Sequence, residues 1–160
     1  MANVDAPMGF QPYRHRAGGV IRASKYRMQS GYAANIFSGD AVILSSGYVA
    51  IAADDSATVL GIFAGCQFLD ASGVPGARFS NYWPTGTATT GAADFDCWVY
   101  DDPFIAFQAQ MDGGPFTQSM VGQNIDWLAG TNGDPGSGPS YISTLTLDAA
   151  IQYKLQNSTS

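Results

Sequence analysis

Few residues of this chain could act as a general base or bind a metal. His15 is the only histidine, and it lies between Arg14 and Arg16. A nucleophilic site needs a base that a third group orients, and the neighbours of His15 in the sequence supply none. One histidine and two separated cysteines, Cys66 and Cys97, do not provide the four ligands of a zinc site. We therefore expect no catalytic residues, no metal, no other cofactor and no enzymatic activity.

The acidic residues offer a weaker route to chemistry. All thirteen are aspartates, with adjacent pairs at Asp54-Asp55 and Asp101-Asp102. Two carboxylates could serve a glycosidase or bind Ca²⁺. Consecutive residues of a strand point to opposite faces, however, and both pairs occupy turn positions, where aspartate binds backbone groups. The turn interpretation is favoured, and a glycosidase is the least favoured alternative.

Aromatic residues suggest a third kind of site. Tyr82 and Trp83 directly precede Pro84 and are the surface candidates for a sugar-binding platform. Trp98 lies inside an apolar strand pattern, so we expect it in the core. A carbohydrate-binding β-module, which could be displayed on a virion, is therefore an alternative function.

The elements that would position these residues are mostly strands. Residues 38–69 predict a three-stranded meander, with continuous apolar runs at 41–44 and 48–53 and a third strand within 58–69. Turn residues separate the runs. This stretch contains no obvious catalytic residue, so we interpret it as scaffold.

The third strand of the meander alternates between two faces. Its predicted apolar face consists of Leu60, Ile62, Ala64, Cys66 and Phe68. Gly61 and Gly65 fall on the other face, which predicts a bulge or a close backbone approach. Both glycines are candidate subunit contacts. Because Cys66 and Cys97 lie in apolar strand patterns, we expect buried reduced thiols, with a single disulfide as the alternative.

The remaining chain also favours β-structure. The segments 95–100 and 104–111 predict a hairpin or neighbouring strands of one sheet. The only helix candidate is 119–130, which Gly122 weakens. Further strands are predicted at 20–28, 78–83, 141–147 and 149–156. The expected fold is all-β: a small β-barrel or β-sandwich with an extended N-terminal arm and at most one short helix.

The length of 160 residues predicts one domain. Residues 1–18 contain prolines and no periodicity, so we predict an extended arm there, followed by a single β-domain over 19–156 and a tail over 157–160. The first 18 residues lack the apolar core of a signal peptide, and no stretch is apolar enough to span a membrane. We expect no membrane partner.

Charge is distributed unevenly along the chain. Residues 1–27 hold five basic residues against one aspartate, a net charge of +4, whereas the rest holds two basic residues against twelve aspartates, a net charge of −10. The negative total makes the chain a poor general nucleic-acid binder. A basic arm could dock on an acidic surface, or its charges could protect an edge strand from pairing. The candidate docking residues are Met8, Phe10, Tyr13, Arg14, Arg16 and Arg22.

Several segments together resemble the head decoration, or cement, proteins of tailed bacteriophages. They are MANVDAPMGFQPYRHRAGG, SGDAVIL, YVAIAA, LGIFAGCQF, FSNYWP, VYDDPFIAFQAQ and GSGPSYISTLTLDA. The resemblance spans most of the chain and implies a β-barrel or β-sandwich on the outer face of the virion, made in the host cytoplasm. It further implies that the chain binds the major capsid protein, as a homotrimer at three-fold and quasi-three-fold positions, and stabilises the head without catalytic residues.

Overall fold

The computed structural model describes residues 8–53, 58–69, 77–85, 95–112, 117–122, 127–128 and 146–148. Its strands are β1 Gln11–His15, β2 Ser24–Met28, β3 Ile36–Phe37, β4 Ala41–Ser45, β5 Tyr48–Ile51, β6 Gly61–Leu69, β7 Ala77–Ser80, β8 Tyr82–Trp83, β9 Phe95–Tyr100, β10 Ile105–Gln108, β11 Met111–Asp112, β12 Trp127–Leu128 and β13 Thr146–Asp148. A single 3-10 turn, Gln118–Met120, is the only helical element in these ranges. The predicted all-β class is confirmed.

The central sheet has the order β2-β9-β6-β4-β5, with β7 added to β6, and every pair in it is antiparallel. Its end strands, β2 and β5, approach each other without pairing. The sheet therefore curls around its core without closing into a barrel, and the fold is sandwich-like. Small pairs β3-β8 and β1-β10 and a short sheet β11-β13-β12 pack around it.

The predicted meander is present as three strands but not in the predicted order. Strands β4 and β5 join through a two-residue turn, in which Ser46 has φ 51° and Gly47 has φ 84°. Two positive φ values define the turn type that matches the twist of a hairpin. Strand β6 then pairs with the other side of β4, whereas a meander would place it beside β5. The continuous apolar run of β4 suits this central place, with a neighbour on each side.

A bulge in β6 overturns the single apolar face that we predicted there. The pairing with β9 passes from Phe63↔Val99 to Gly65↔Trp98, so Ala64 is an extra residue. An extra residue reverses the side-chain alternation beyond it. Phe63 and Cys66 therefore face the main core, whereas Ile62 belongs to a second cluster. The bulge predicted from the glycines is confirmed.

Two apolar clusters hold the sheet. The main core lies inside the curl and comprises Met28, Ile36, Val42, Val49, Phe63, Cys66, Phe68, Trp83, Phe95, Cys97 and Val99. The second cluster, of Ala41, Ala52 and Ile62, lies on the other side and is covered by partly buried residues that include Phe10 and Phe107. The pair β1-β10 thus packs against the outside of the sheet.

The N-terminal arm that we predicted is wrong for residues 8–18. Strand β1 pairs antiparallel with β10 of the same chain, and Phe10 packs on the second cluster. Residues 1–7 lie outside the described ranges. The predicted hairpin of 95–100 with 104–111 is also wrong, because β9 pairs with β2 and β6 while β10 pairs with β1. Strand β9 ends at Tyr100, and the turn of Asp101, Asp102 and Pro103 separates it from β10.

The helix predicted over 119–130 is wrong where the structure describes it. The 3-10 turn ends at Met120, Gly122 has φ 84°, and Trp127–Leu128 is a strand. A left-handed residue cannot continue a right-handed helix. The strand predicted at 141–147 overlaps β13, whereas the strand predicted at 149–156 and the tail 157–160 lie outside the described residues.

Candidate interaction site

The β1-β10 pair, which we call the ribbon, is hydrogen-bonded to the body just before β1, and its own pairing continues just after β1. The backbone N–H of Phe10 donates to the carbonyl of Gly39 at 3.0 Å, and that of Arg16 donates to the carbonyl of Phe104 at 2.8 Å. Between them, a register shift places Tyr13 as an unpaired residue between Pro12 and Arg14. Tyr13 is 67 % exposed and Arg14 is also exposed.

His15 has a defined structural role that its neighbours in the sequence did not predict. Its Nε2 lies 3.1 Å from Asp102 Oδ2, and its Nδ1 accepts a hydrogen bond of 2.9 Å from the backbone N–H of Gly19. With Nδ1 accepting, the neutral ring donates through Nε2. No ring nitrogen is then free to take a proton from a substrate, so this arrangement clasps the loop and is not a general base.

Asp102 is the centre of this clasp. Its Oδ1 accepts a hydrogen bond of 2.8 Å from the backbone N–H of Phe104. That bond, and then the bond from His15, lower the pKa of the Asp102 carboxyl below its usual value, because both favour the charged form.

The neighbouring carboxylate binds a different strand. Asp101 accepts hydrogen bonds of 2.8 Å from Ser24 Oγ and from Tyr26 Oη. The hydrogen bond to Asp101 is the largest cause of a raised pKa of the Tyr26 phenol, and desolvation raises it further. The two acids thus tie β2 and β1 to one turn, as expected of aspartates at a turn, and each is already occupied by protein groups.

Two open hollows meet at Pro103, at the end of the ribbon. One, of about 360 Å³, is lined by Arg16, Ala17, Pro103 and Phe104. The other, of about 400 Å³, is mostly apolar. Its lining includes Phe10, Leu60, Ile62, Tyr100, Ile105 and Phe107. We call the two hollows, with the exposed side chains of Tyr13 and Arg14, the ribbon-end surface.

Exposed groups make this surface suitable for a protein partner. Phe104 is 56 % exposed and Val59, at the apolar hollow, is 44 % exposed. Arg16 is exposed as well. Aromatic and arginine side chains beside an apolar depression are typical of interface centres.

The structure separates the predicted docking residues into two groups. Tyr13 and Arg14 are exposed within β1, and Arg16 is exposed directly after it. Arg22 is exposed in the connection to β2, and Met8 is 40 % exposed before β1.

Phe10 does not belong with them, and the prediction of a free anchor there is wrong. Its ring packs edge-on against Phe107 at 6.3 Å between ring centroids. It therefore holds the ribbon to its own sheet.

The close approach predicted at the two glycines occurs within the chain. A Cβ at Gly61 would collide with the carbonyl oxygen of Tyr100, and a Cβ at Gly65 would lie 2.9 Å from both Phe79 Cζ and the carbonyl oxygen of Ser80. Packing inside one subunit therefore accounts for both residues. Their contact with another subunit stays a prediction that this geometry does not require.

The surface aromatic residues differ from those predicted. Trp83 is fully buried in the main core and donates through its ring N–H to the carbonyl of Tyr32 at 3.4 Å. Tyr82 stacks on the buried ring of Phe37. The prediction of a sugar platform at Tyr82 and Trp83 is wrong. Trp98, which we predicted in the core, is only half-buried beside the exposed ring of Phe79.

The two cysteines face each other across strands β6 and β9. Both are free and buried, which confirms the predicted buried thiols. Burial raises the pKa of each thiol to about 12, so neither is a reactive thiolate near neutral pH.

Comparison with known proteins identifies no relative. No protein-family model, no curated protein and no solved structure matches the chain. Within the described residues, no cluster of three or more histidine, cysteine or acidic side chains could hold a metal. None of the helical structure described in the chain is long and apolar enough to cross a membrane.

Sequence reasoning missed Phe104, Phe79 and the His15–Asp102 clasp. Phe104 follows the Asp101-Asp102-Pro103 turn, and an aromatic residue directly after such a turn was a signal that it could be exposed. The clasp joins residues 87 positions apart, and no local pattern could have revealed it.

Proposed function

We propose that this chain is a decoration protein of a tailed-bacteriophage head, which binds the outer surface of the capsid and stabilises it. The observation that carries the proposal is the ribbon-end surface: Tyr13 and Arg14 are exposed on the clasped ribbon, Arg16 lines one hollow beside Phe104, and an apolar hollow shares Pro103 with it. The resemblance of the sequence to decoration proteins supplies the class of partner, the major capsid protein.

Rigidity of the ribbon favours this role. Hydrogen bonds from Arg16 and Gly19 and the pairing of β1 with β10 hold the exposed side chains before any partner arrives. A surface that is already ordered loses less conformational entropy on binding than a free arm would. The ribbon therefore docks as a rigid element.

Charge favours an acidic partner. Arg14 and Arg16 lie in the N-terminal segment of net charge +4, while the rest of the chain carries −10. Two acids of that rest, Asp101 and Asp102, line the apolar hollow but accept hydrogen bonds from Ser24, Tyr26, His15 and Phe104. Opposite charges on the two surfaces steer association and fix orientation. Arginine pairs with carboxylates through two parallel hydrogen bonds. Arg14 and Arg16 would contact acidic side chains of the capsid, and an apolar capsid side chain would enter the hollow between Phe10 and Val59.

A charge-matched pair of double variants tests the proposal. Arg14→Gln with Arg16→Gln removes two charges from the ribbon, and Lys25→Gln with Arg27→Gln removes two from β2. Binding is measured by co-sedimentation with heads assembled from the major capsid protein encoded in the same genome. We expect the ribbon variant to bind at least about tenfold more weakly, a loss of about 1.4 kcal/mol, and the β2 variant to bind as wild type does.

Two results would contradict the proposal. One is wild-type protein that does not co-sediment with the heads. The other is an equal loss for both double variants, which would mean that only total charge matters. Electron cryomicroscopy of decorated heads then tests the expected position of a homotrimer at the three-fold and quasi-three-fold axes.

A further inference from the structure

One outer face of the central sheet carries two aromatic rings that the core does not enclose. In β9 the residues Phe95, Cys97 and Val99 are buried, while Trp98 between them points to the other side and is half-buried. Phe79 of β7 is 68 % exposed, and its ring centroid lies 5.6 Å from that of Trp98, with the planes tilted by 52°. We call this pair the aromatic notch. A phenylalanine so exposed contributes little to the core.

Gly65 gives the notch its shape. The β6 bulge places this residue at φ 151°, opposite Trp98. A Cβ there would lie 2.9 Å from Phe79 Cζ, so the ring of Phe79 occupies the space that a side chain would fill. The missing side chain thus allows the ring to lie over the sheet beside Trp98.

Polar side chains surround the notch on the same face. Cross-strand pairing aligns Arg27, Asp96, Gln67 and Phe79 in one row over four strands. Such neighbours lie side by side on one face. In the adjacent row, Lys25 pairs with Trp98, and Lys25 Nζ lies 2.7 Å from Asp96 Oδ2. Arg27, Lys25 and Gln67 are exposed. Donors and an acceptor therefore border the two rings.

We propose that the aromatic notch binds a pyranose saccharide. The C–H face of a pyranose ring is apolar and slightly positive, which complements the negative face of an aromatic ring. The hydroxyl groups at its edge need donors and acceptors of both kinds, which Lys25, Gln67 and Asp96 provide. Two rings match one or two sugar units, whereas a stable protein partner needs roughly 800 Å² of surface on each side.

A glycan array of bacterial, plant and animal pyranose saccharides, probed with the full chain, tests the proposal, followed by calorimetric titration of the strongest hit. We expect a dissociation constant of about 0.1 mM or tighter, which the array can detect. Phe79→Ala should weaken binding at least about tenfold, because it removes one wall of the notch. Phe79→Tyr keeps the wall and should stay within about threefold of wild type. Phe104→Ala, which removes an exposed aromatic ring from the ribbon end, is the matched control and should leave glycan binding unchanged.

Three results would overturn the proposal. They are an array without any bound saccharide, a Phe79→Ala variant that binds the hit as tightly as wild type, and a Phe79→Ala variant whose molar mass in light scattering differs from that of wild type. The last would identify the notch as a contact between copies of the chain. Head binding by Phe79→Ala is measured in parallel and should equal that of wild type, so the capsid proposal and this one fail independently.

Discussion

At the residue scale, the side chains most suited to chemistry are used to join strands. His15 uses both ring nitrogens to hold Asp102 and the backbone of Gly19. Asp101 binds hydroxyl groups of Ser24 and Tyr26 on β2. These long-range hydrogen bonds tie β1 and β2 to the turn that precedes β10.

Acid should loosen the ribbon through Asp102. The folded-state pKa of this carboxyl is lowered, first by the N–H of Phe104 and then by His15. A lowered pKa adds stability that is present above the ordinary value of the group and is lost as pH falls through the folded value. As pH falls from neutral to below the ordinary pKa of an aspartate, wild type should therefore lose more stability than Asp102→Asn, as measured by urea unfolding at a series of pH values. Parallel curves for the two proteins would contradict this assignment.

At the element scale, β6 and its bulge organise the molecule. Alternation puts Ile62 in the second cluster and Phe63 in the main core, and the one extra residue, Ala64, brings Cys66 to the same side as Phe63. The same bulge positions Gly65 beneath Phe79. A feature of backbone pairing thus connects core packing with the proposed sugar site.

Gly61 should be required for folding. In Gly61→Ala the new Cβ meets the carbonyl oxygen of Tyr100, which the β9 backbone cannot move cheaply. We expect a loss of about 2–3 kcal/mol in the free energy of unfolding. Gly31→Ala is the control, because its Cβ meets nothing within 4 Å and only the positive φ of 73° is strained, at a cost of about 1 kcal/mol. Denaturant unfolding measures both, and an equal loss would show that the close approach is unimportant.

The ribbon should behave as part of the body. Deleting residues 2–7 leaves the whole of β1 in place, whereas deleting 2–18 removes β1 and the packing of Phe10 on the second cluster. We expect the longer deletion to lower the free energy of unfolding by at least about 2 kcal/mol and the shorter one to change it little. Equal stability of the two truncated proteins in urea would contradict this prediction and would support a free N-terminal arm.

At the scale of the whole molecule, the two proposed surfaces are built from different strands. The basic residues of the ribbon end belong to β1 and the residue after it. The two rings of the aromatic notch come from β7 and β9, which lie on either side of β6. Both proposals can hold together, since they use no residue in common.

Binding at the two surfaces should depend differently on salt. Binding to heads through Arg14 and Arg16 should weaken steadily as NaCl rises from about 50 to 500 mM, because screening lengths shorten over that range. The Arg14→Gln, Arg16→Gln variant should show a flatter dependence. Glycan binding at the notch, which rests on stacking, should change little. Co-sedimentation and calorimetry across the series measure these slopes, and a head affinity that is independent of salt would argue against docking through the arginines.

The amino-acid sequence by itself determined the β-class, the turns and most strand positions. Alternation, apolar runs and turn residues act over a few neighbours, so the strand predicted at 95–100 has the same bounds as β9. The bulge near Gly65 was also readable, because glycine inside a strand pattern is typical of a bulge or of a close backbone approach.

Tertiary structure alone decided which strands pair and which aromatic residues reach the surface. Strand β1 finds β10 across more than 90 residues, and Trp83 and Trp98 exchange the positions that their local patterns predicted. Pairing between distant strands depends on the total packing of both faces, which no short window contains. For the same reason His15, isolated between two arginines in the sequence, acquires its partner Asp102 only in the folded chain.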